Sequence, residues 1–404
     1  MRVVIASPGR FHLLDLAREL HDLGVEVHFY SYVPRKRTEK FGLPSRCHVA
    51  LLPFLFPLVA WERLFPRLFP RTIERLMCWA LDMLTILRMR PCDVFICMSG
   101  VYLQAPRFAR WRYGARIILH RGSRHIVSQS EILSHLPGAQ QVTSFMMCRE
   151  LKGYAIADRI AVPSTQVVES FLPWPEQACK LFLGPYGVDL DQFPLRTGTL
   201  PPEPTLLFVG PWSYRKGVDV LAEAIEAMEG VRLIHVGALL DAPFPNHPRF
   251  VHHDPVPQWQ LKNFYAAAHV FVLASREEGL AVVQCQALAS GLPLVCTDRT
   301  GGSDLAGLGI ARLIHVVAAG DPEALRRALA QALDDSTGRT GIARITGAER
   351  EALSWRAYAM RHLEVMLEMQ QPQANDQVRP GTNDLNRSSP AEAHEPKTAR
   401  MKAL

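Results

Sequence analysis

Ser275-Arg276-Glu277-Glu278-Gly279-Leu280-Ala281-Val282-Val283-Gln284-Cys285-Gln286-Ala287-Leu288-Ala289-Ser290-Gly291-Leu292-Pro293 lies between two short apolar runs, at 270–273 and 294–297. The runs read as buried strands and 280–290 as the helix that joins them, a βαβ crossover with an acidic turn at its start. The first amides of such a helix have no partner within the helix and point toward the carboxyl end of the strand. With Gly279 allowing close approach, this is an anion site suited to a phosphate. A carboxylate beside a phosphate is repelled unless it serves another group, so Glu278 suits the hydroxyls of an attached sugar. The alternative is a solvated Glu-Glu turn before an ordinary core helix.

Upstream, Leu207-Phe208-Val209-Gly210-Pro211-Trp212-Ser213-Tyr214-Arg215-Lys216-Gly217-Val218-Asp219 repeats the plan: a strand, a glycine loop, then a helix. Arg215 and Lys216 oppose the dipole of the helix they precede unless an anion is shared between them, and a diphosphate fits. A charged pair on a solvated turn is the other reading.

The same alternation fills the rest of the chain. Strands at 206–209, 232–236, 270–273 and 294–297 alternate with helices at 218–228, 258–268 and 280–290, and a helix at 323–334 follows. At the beginning, 3–6 reads as a strand, Ser7-Pro8-Gly9-Arg10 as a tight loop and Leu13, Leu16, Ala17 and Leu20 as a helix face. Gly24 stands as its C-cap glycine, and a second strand follows at 25–29. Runs at 93–98, 115–119 and 159–163 continue this domain. The expected fold is therefore α/β, with two Rossmann-like, doubly wound parallel-sheet domains and ligands at the carboxyl ends of the strands. The expected division is 1–193 for the first domain, 194–204 for a Pro/Gly/Thr-rich linker and 205–353 for the second domain. A helix at 354–370 can cross back, and 371–404 has too little apolar content to order itself.

Composition agrees with a globular chain: 404 residues, 48% hydrophobic and 21% charged, more than one ordinary domain uses. The net charge of +6 is too small and dispersed for a nucleic-acid binder. It is uneven, however, with 24 Lys and Arg against 16 Asp and Glu in residues 1–195 and 21 against 23 in the rest. Eight cysteines in apolar contexts, without ligand spacing, suggest buried reduced thiols and a cytoplasmic compartment. The start, Met1 to Arg10, holds no apolar stretch of signal-peptide length, and the longest uncharged apolar run, 49–61, falls short of the roughly 20 residues a membrane span needs.

In this order, and about 60 residues apart, the two glycine loops resemble those of glycosyltransferase family 4, the retaining, nucleotide-sugar-dependent transferases of GT-B fold. Further stretches are similar to that family: Glu150 to Ser164, Tyr186-Gly187-Val188-Asp189 with Phe193, Tyr265 to Ser275, Thr300-Gly301-Gly302 and Ser354-Trp355. The resemblance implies transfer of a hexose-type sugar, with retention, from a nucleotide diphosphate-sugar to a glycan or lipid-linked acceptor in cell-surface polysaccharide assembly. It implies no metal and no other cofactor. By the same resemblance Glu278 holds donor-sugar hydroxyls, and the backbone of Gly279, Leu280, Ala281 and Val282 cradles the diphosphate and sugar. Lys216, with Arg215 and the Gly210 loop, neutralises the leaving diphosphate. Gly9 and Arg10 lie across the cleft, and His120 contacts the donor sugar near the reacting carbon. No general base is implied.

Two positions depart from the family pattern. A ribose-binding glutamate is Gln286 here, which loses the charge-assisted part of that bond, and an arginine is replaced by Pro211. A non-catalytic protein with a decayed donor site is therefore the rival reading. A dinucleotide oxidoreductase or epimerase lacks its G-x-G-x-x-G turn, and a metal hydrolase lacks a ligand cluster. Asp189-Leu190-Asp191 spells D-x-D but lacks the strand and turn context of a metal site. Finally, Phe54, Phe56, Trp61, Phe65 and Phe69 interleave with Arg63, Arg67, Arg71 and Arg75. That pattern suits the anionic inner face of a membrane. Core packing under an amphipathic helix, along Ile73, Leu76, Met77, Ala80, Leu81 and Leu84, fits equally well.

Overall fold

A computed structural model describes residues 1–65, 68–197, 200–336 and 345–371. The tail expected to be disordered lies, apart from Gln371, outside the described residues.

Apolar runs separated by helical stretches can pair only in parallel, because each crossover returns the chain to the same end of the sheet. Two such sheets form. The first contains β1 (Arg2–Ala6), β2 (Glu26–Ser31), β3 (His48–Ala50), β4 (Val94–Met98), β5 (Arg116–His120), β6 (Arg159–Val162) and β7 (Leu181–Leu183), in the order β3-β2-β1-β4-β5-β6-β7. The second contains β8 (Thr205–Val209), β9 (Arg232–Val236), β10 (Phe250–His253), β11 (Val270–Leu273), β12 (Leu294–Thr297) and β13 (Ile314–Val317), in the order β10-β9-β8-β11-β12-β13. Strand order reverses beside β1 and again beside β8, and ligands bind at the crevices such switch points open. The loops after β1, β8 and β11 are thus the ones placed for function.

The first helix, Phe11–Asp22, buries Leu13, Leu16, Ala17 and Leu20 as its spacing demands, and Gly24 follows at φ 84°, where a side chain is disfavoured. The helix Trp355–Gln370 leaves the second domain and packs on that first helix. Its root is a bridge from Ser354 to Val188, and Arg361 donates to the Pro185 carbonyl at 2.9 Å.

Two expectations need correction or division. Six cysteines are buried, but Cys148 and Cys179 are exposed, because they lie on the outer faces of a helix and a turn. The stretch at 51–89 forms two helices, Leu52–Leu64 and Pro70–Arg88. Along the second, Ala80 and Leu81 are buried and Ile73, Met77 and Leu84 half-buried, but Leu76 is exposed. Phe54, Phe56, Trp61, Phe65 and Phe69 are all exposed, with Arg63, Arg71 and Arg75 among them. Arg67 lies outside the described residues. No described helix is long and apolar enough to cross a membrane.

Candidate donor site between the two domains

The loop after β8 turns at Gly210 and passes the buried Trp212, whose indole N–H donates to the Pro243 carbonyl at 2.9 Å. It then forms a single 3-10 turn, Tyr214–Lys216, ending at Gly217. Gly217 has φ 66°, and a Cβ there would lie 2.0 Å from the Ala274 carbonyl oxygen. Only glycine lets this turn press on the end of β11. The Arg276 amide donates to the Arg215 carbonyl at 2.9 Å, and the Arg276 guanidinium grips Asp219 at 2.6 and 2.7 Å.

This stitching brings the expected charges together. Lys216 Nζ is paired with Glu278 Oε2, 62 residues away, and Arg215 Nε reaches the Glu277 carboxylate at 2.8 Å. Burial pushes the Glu278 carboxyl up, but Lys216 and then Arg215 outweigh it and hold the group below its ordinary value. Gly210 borders Lys216, a Cβ there lying 4.0 Å from its Cε. Leu280 and Ala281 are buried, and Val282 opens the helix Val282–Ala289, whose N-terminus no side chain caps.

The first domain closes on this loop. A Cβ on Gly279 would lie 1.9 Å from the Gly122 carbonyl oxygen, and one on Gly301 would lie 2.5 Å from that of Gly279. Ser164 Oγ donates to the Gly279 carbonyl at 2.8 Å and Gln166 Nε2 to that of Glu278 at 2.8 Å. The Ser123 hydroxyl is paired with Glu277. Across the cleft, Ser7 Oγ donates to the Gly9 carbonyl at 2.9 Å. Arg10 lies 3.6 Å from the centre of the Phe41 ring and is paired with Gln258 of the second domain. No described hydrogen bond or ion pair links Arg10 with Lys216 or Glu278.

His120 is only 2% exposed, so it faces the interior rather than an open loop. It ends β5, with Nδ1 3.1 Å from His12 Nε2 and 3.3 Å from the Tyr358 hydroxyl, and its ring stacks on His362 at 5.0 Å. Burial, then the neighbouring His362 and His12, pushes its pKa well below the ordinary histidine value, so it is neutral. His12, lowered to about 3 chiefly by burial, lies over it and stacks on Tyr186 at 4.6 Å. Gln286 is also buried, with its Oε1 accepting the Tyr265 hydroxyl at 3.0 Å. Asp189 Oδ1 accepts the amides of Asp191 and Gln192, each at 3.1 Å, as a turn cap does. Among the described residues no three His, Cys, Asp or Glu side chains gather as metal ligands do.

Two residues at the site, Glu277 and Tyr186, lie in stretches that the sequence singles out without marking them as site residues. Glu277 is fully buried between Arg215 and Ser123, although its Glu-Glu context reads as surface. Tyr186 lies against the Gly122 turn, where a Cβ would stand 3.0 Å from its hydroxyl, and burial, then the charge of Glu278, raises its pKa.

Residues 203–335 match the family model for glycosyl transferases group 1. A Bacillus subtilis protein named for teichuronic acid biosynthesis, TuaC, is 31% identical over 176 residues, 39% of this chain and 44% of that protein. A GDP-mannose-dependent alpha-mannosyltransferase of Mycobacterium tuberculosis is 32% identical over 162 residues, 38% of this chain and 42% of that one. The matched stretch thus spans less than half the length of either relative. The structure of sucrose-phosphate synthase from Thermosynechococcus elongatus superposes with a TM-score of 0.66 at 18% identity, covering 91% of this chain and 99% of that one. The fold is GT-B, and residues 203–335, in its second domain, are similar to the glycosyl transferases group 1 family.

Proposed function

We propose that this protein is a retaining glycosyltransferase that moves a hexose-type sugar from a nucleotide diphosphate-sugar to a glycan or lipid-linked acceptor in cell-surface polysaccharide assembly. The observation that carries the reading is the Lys216–Glu278 pair, made by two loops of the second domain and covered by the first. A diphosphate takes Lys216 and a sugar hydroxyl takes Glu278, so a donor separates two groups that otherwise satisfy each other. Both are largely withdrawn from water, where a charge aimed at the departing diphosphate acts more strongly. In this reading Lys216 does the work a metal ion does elsewhere, Gly279 to Val282 present backbone amides, and the closed domains keep water from the transferred sugar. Arg215 contributes through Glu277, orienting the loop. His120, beneath His12, acts as a positioning residue. Support for the polysaccharide role is the name of the Bacillus subtilis relative. Support for work at the inner face of an anionic membrane is the exposed aromatic and arginine side chains at 54–75.

The test is calorimetric titration of UDP, GDP and ADP, without metal, into the protein and its Lys216→Ala variant. One nucleotide is expected to bind, with affinity at least about tenfold weaker in the variant, roughly 1.4 kcal/mol. Absence of binding by all three moves the weight to the decayed-site reading, which the engagement of Gln286 by Tyr265 favours.

A further inference from the structure

A cavity of about 650 Å³ lies in the first domain beneath the helix pair at 52–88, within the range of small-molecule sites. Its floor is the buried Cys78 and Leu81, its walls include the half-buried Met77 and Met146, and the exposed Phe65 stands at its mouth. Its other end reaches Pro8, in the loop after β1 whose Arg10 meets the second domain. The cavity therefore runs from the outer aromatic face of the helix pair to the end of the sheet where the donor site lies.

The outer face is apolar and basic at once. Trp61 packs on Phe65 at 5.3 Å, and Phe69 is 63% exposed at φ 56°, a left-handed conformation that costs an aromatic residue energy. The chain thus holds a large apolar ring in water beside the exposed Arg71. Glu62 and Glu74 also line the cavity, opposite in sign to Arg71, but the exposed Arg63, Arg71 and Arg75 outnumber them, and an apolar face so charged fits an anionic amphiphile rather than a second protein domain. We propose that the cavity is an acceptor subsite that takes the hydrocarbon chain of an anionic, lipid-linked acceptor, with its head group directed to Pro8. This rests on the transferase reading above and adds the class of acceptor and the place that holds it.

The test titrates dodecyl phosphate and farnesyl phosphate, both below their micelle concentrations, into the full chain. The same titrations are made with Met77→Trp and Met146→Trp, which fill the cavity from different helices, and with Leu87→Trp, an exposed site on the helix of Met77. Saturable binding is expected, weakened tenfold or more in whichever cavity variants melt as the wild type does, and unchanged in Leu87→Trp. Tighter binding of farnesyl phosphate assigns an isoprenoid chain, and tighter binding of dodecyl phosphate a linear one. Absence of saturable binding, or equal binding by the cavity variants, overturns the subsite. Nucleotide titration of the same preparations separates the two ideas. Nucleotide without alkyl phosphate sinks the subsite and leaves the donor reading standing, and the converse sinks the donor reading and with it the acceptor role of the cavity.

Discussion

Gly279 carries the tightest constraint in the site, because the two domains meet there backbone to backbone. A methyl group at this position would lie 1.9 Å from the Gly122 carbonyl oxygen, and neither strand-end loop has a flexible side chain that can yield. Gly279→Ala is expected to part the domains, raising the radius of gyration by small-angle scattering and lowering stability by about 2 kcal/mol or more. An unchanged scattering profile and melting temperature would refute the close approach. Gln286 makes a different prediction. Its oxygen already accepts the Tyr265 hydroxyl, so Gln286→Glu supplies a second, charged oxygen for a ribose hydroxyl while keeping that bond. Nucleotide affinity is expected to rise by about tenfold, and calorimetry showing no gain would remove Gln286 from the ribose site. Glu278, Lys216 and Gly279 were legible only as two loops taken together, because each loop alone reads equally as a solvated, charged turn. His120 was legible only in part. Its position at the end of β5 follows from the apolar run, but its burial follows from His12 and His362, which lie far away in the chain and contribute no local pattern.

At the scale of elements, the helix Trp355–Gln370 is joined to the first domain by a histidine cluster that is stable only when uncharged. Burial holds His362 at about 4 and His12 at about 3, against about 6.5 in an unfolded chain. Below 6.5 the unfolded chain therefore binds protons that the folded chain does not, and stability falls as the pH falls toward 4. Between pH 7 and pH 5 the loss from His362 alone is on the order of 2 kcal/mol. Thermal melts across this interval are expected to show a steady decline, and a flat profile would show that the cluster is not held neutral. Strands were legible unevenly, and the reason is physical. β1, β2, β4, β5, β6, β8, β9, β11 and β12 are interior strands covered on both faces, so each reads as an apolar run. β3, β7, β10 and β13 are the four sheet edges. β3 and β7 are only three residues long, too short to read as runs, and His252 and His253 in β10 and His315 in β13 dilute the apolar signal there.

For the whole molecule, two switch points face each other: the second domain supplies the Lys216–Glu278 pair and the first covers it. That duplication was readable, since the strand and helix alternation restarts after 204. The way the halves dock was not, because Arg10 to Gln258, Ser123 to Glu277 and Gly122 to Gly279 are pairings of unlike loops more than 120 residues apart. The helix Trp355–Gln370 adds a topological consequence. Tyr358 and His362 belong to the interior of the first domain although they are encoded after the second. The first domain is thus discontinuous along the gene, with the second inserted into it. No single cut yields both halves whole: a fragment ending at residue 193 leaves His12 and His120 with a bare apolar face. A circular permutant that joins the end of the crossing helix to residue 1 would reunite the first domain in one contiguous stretch.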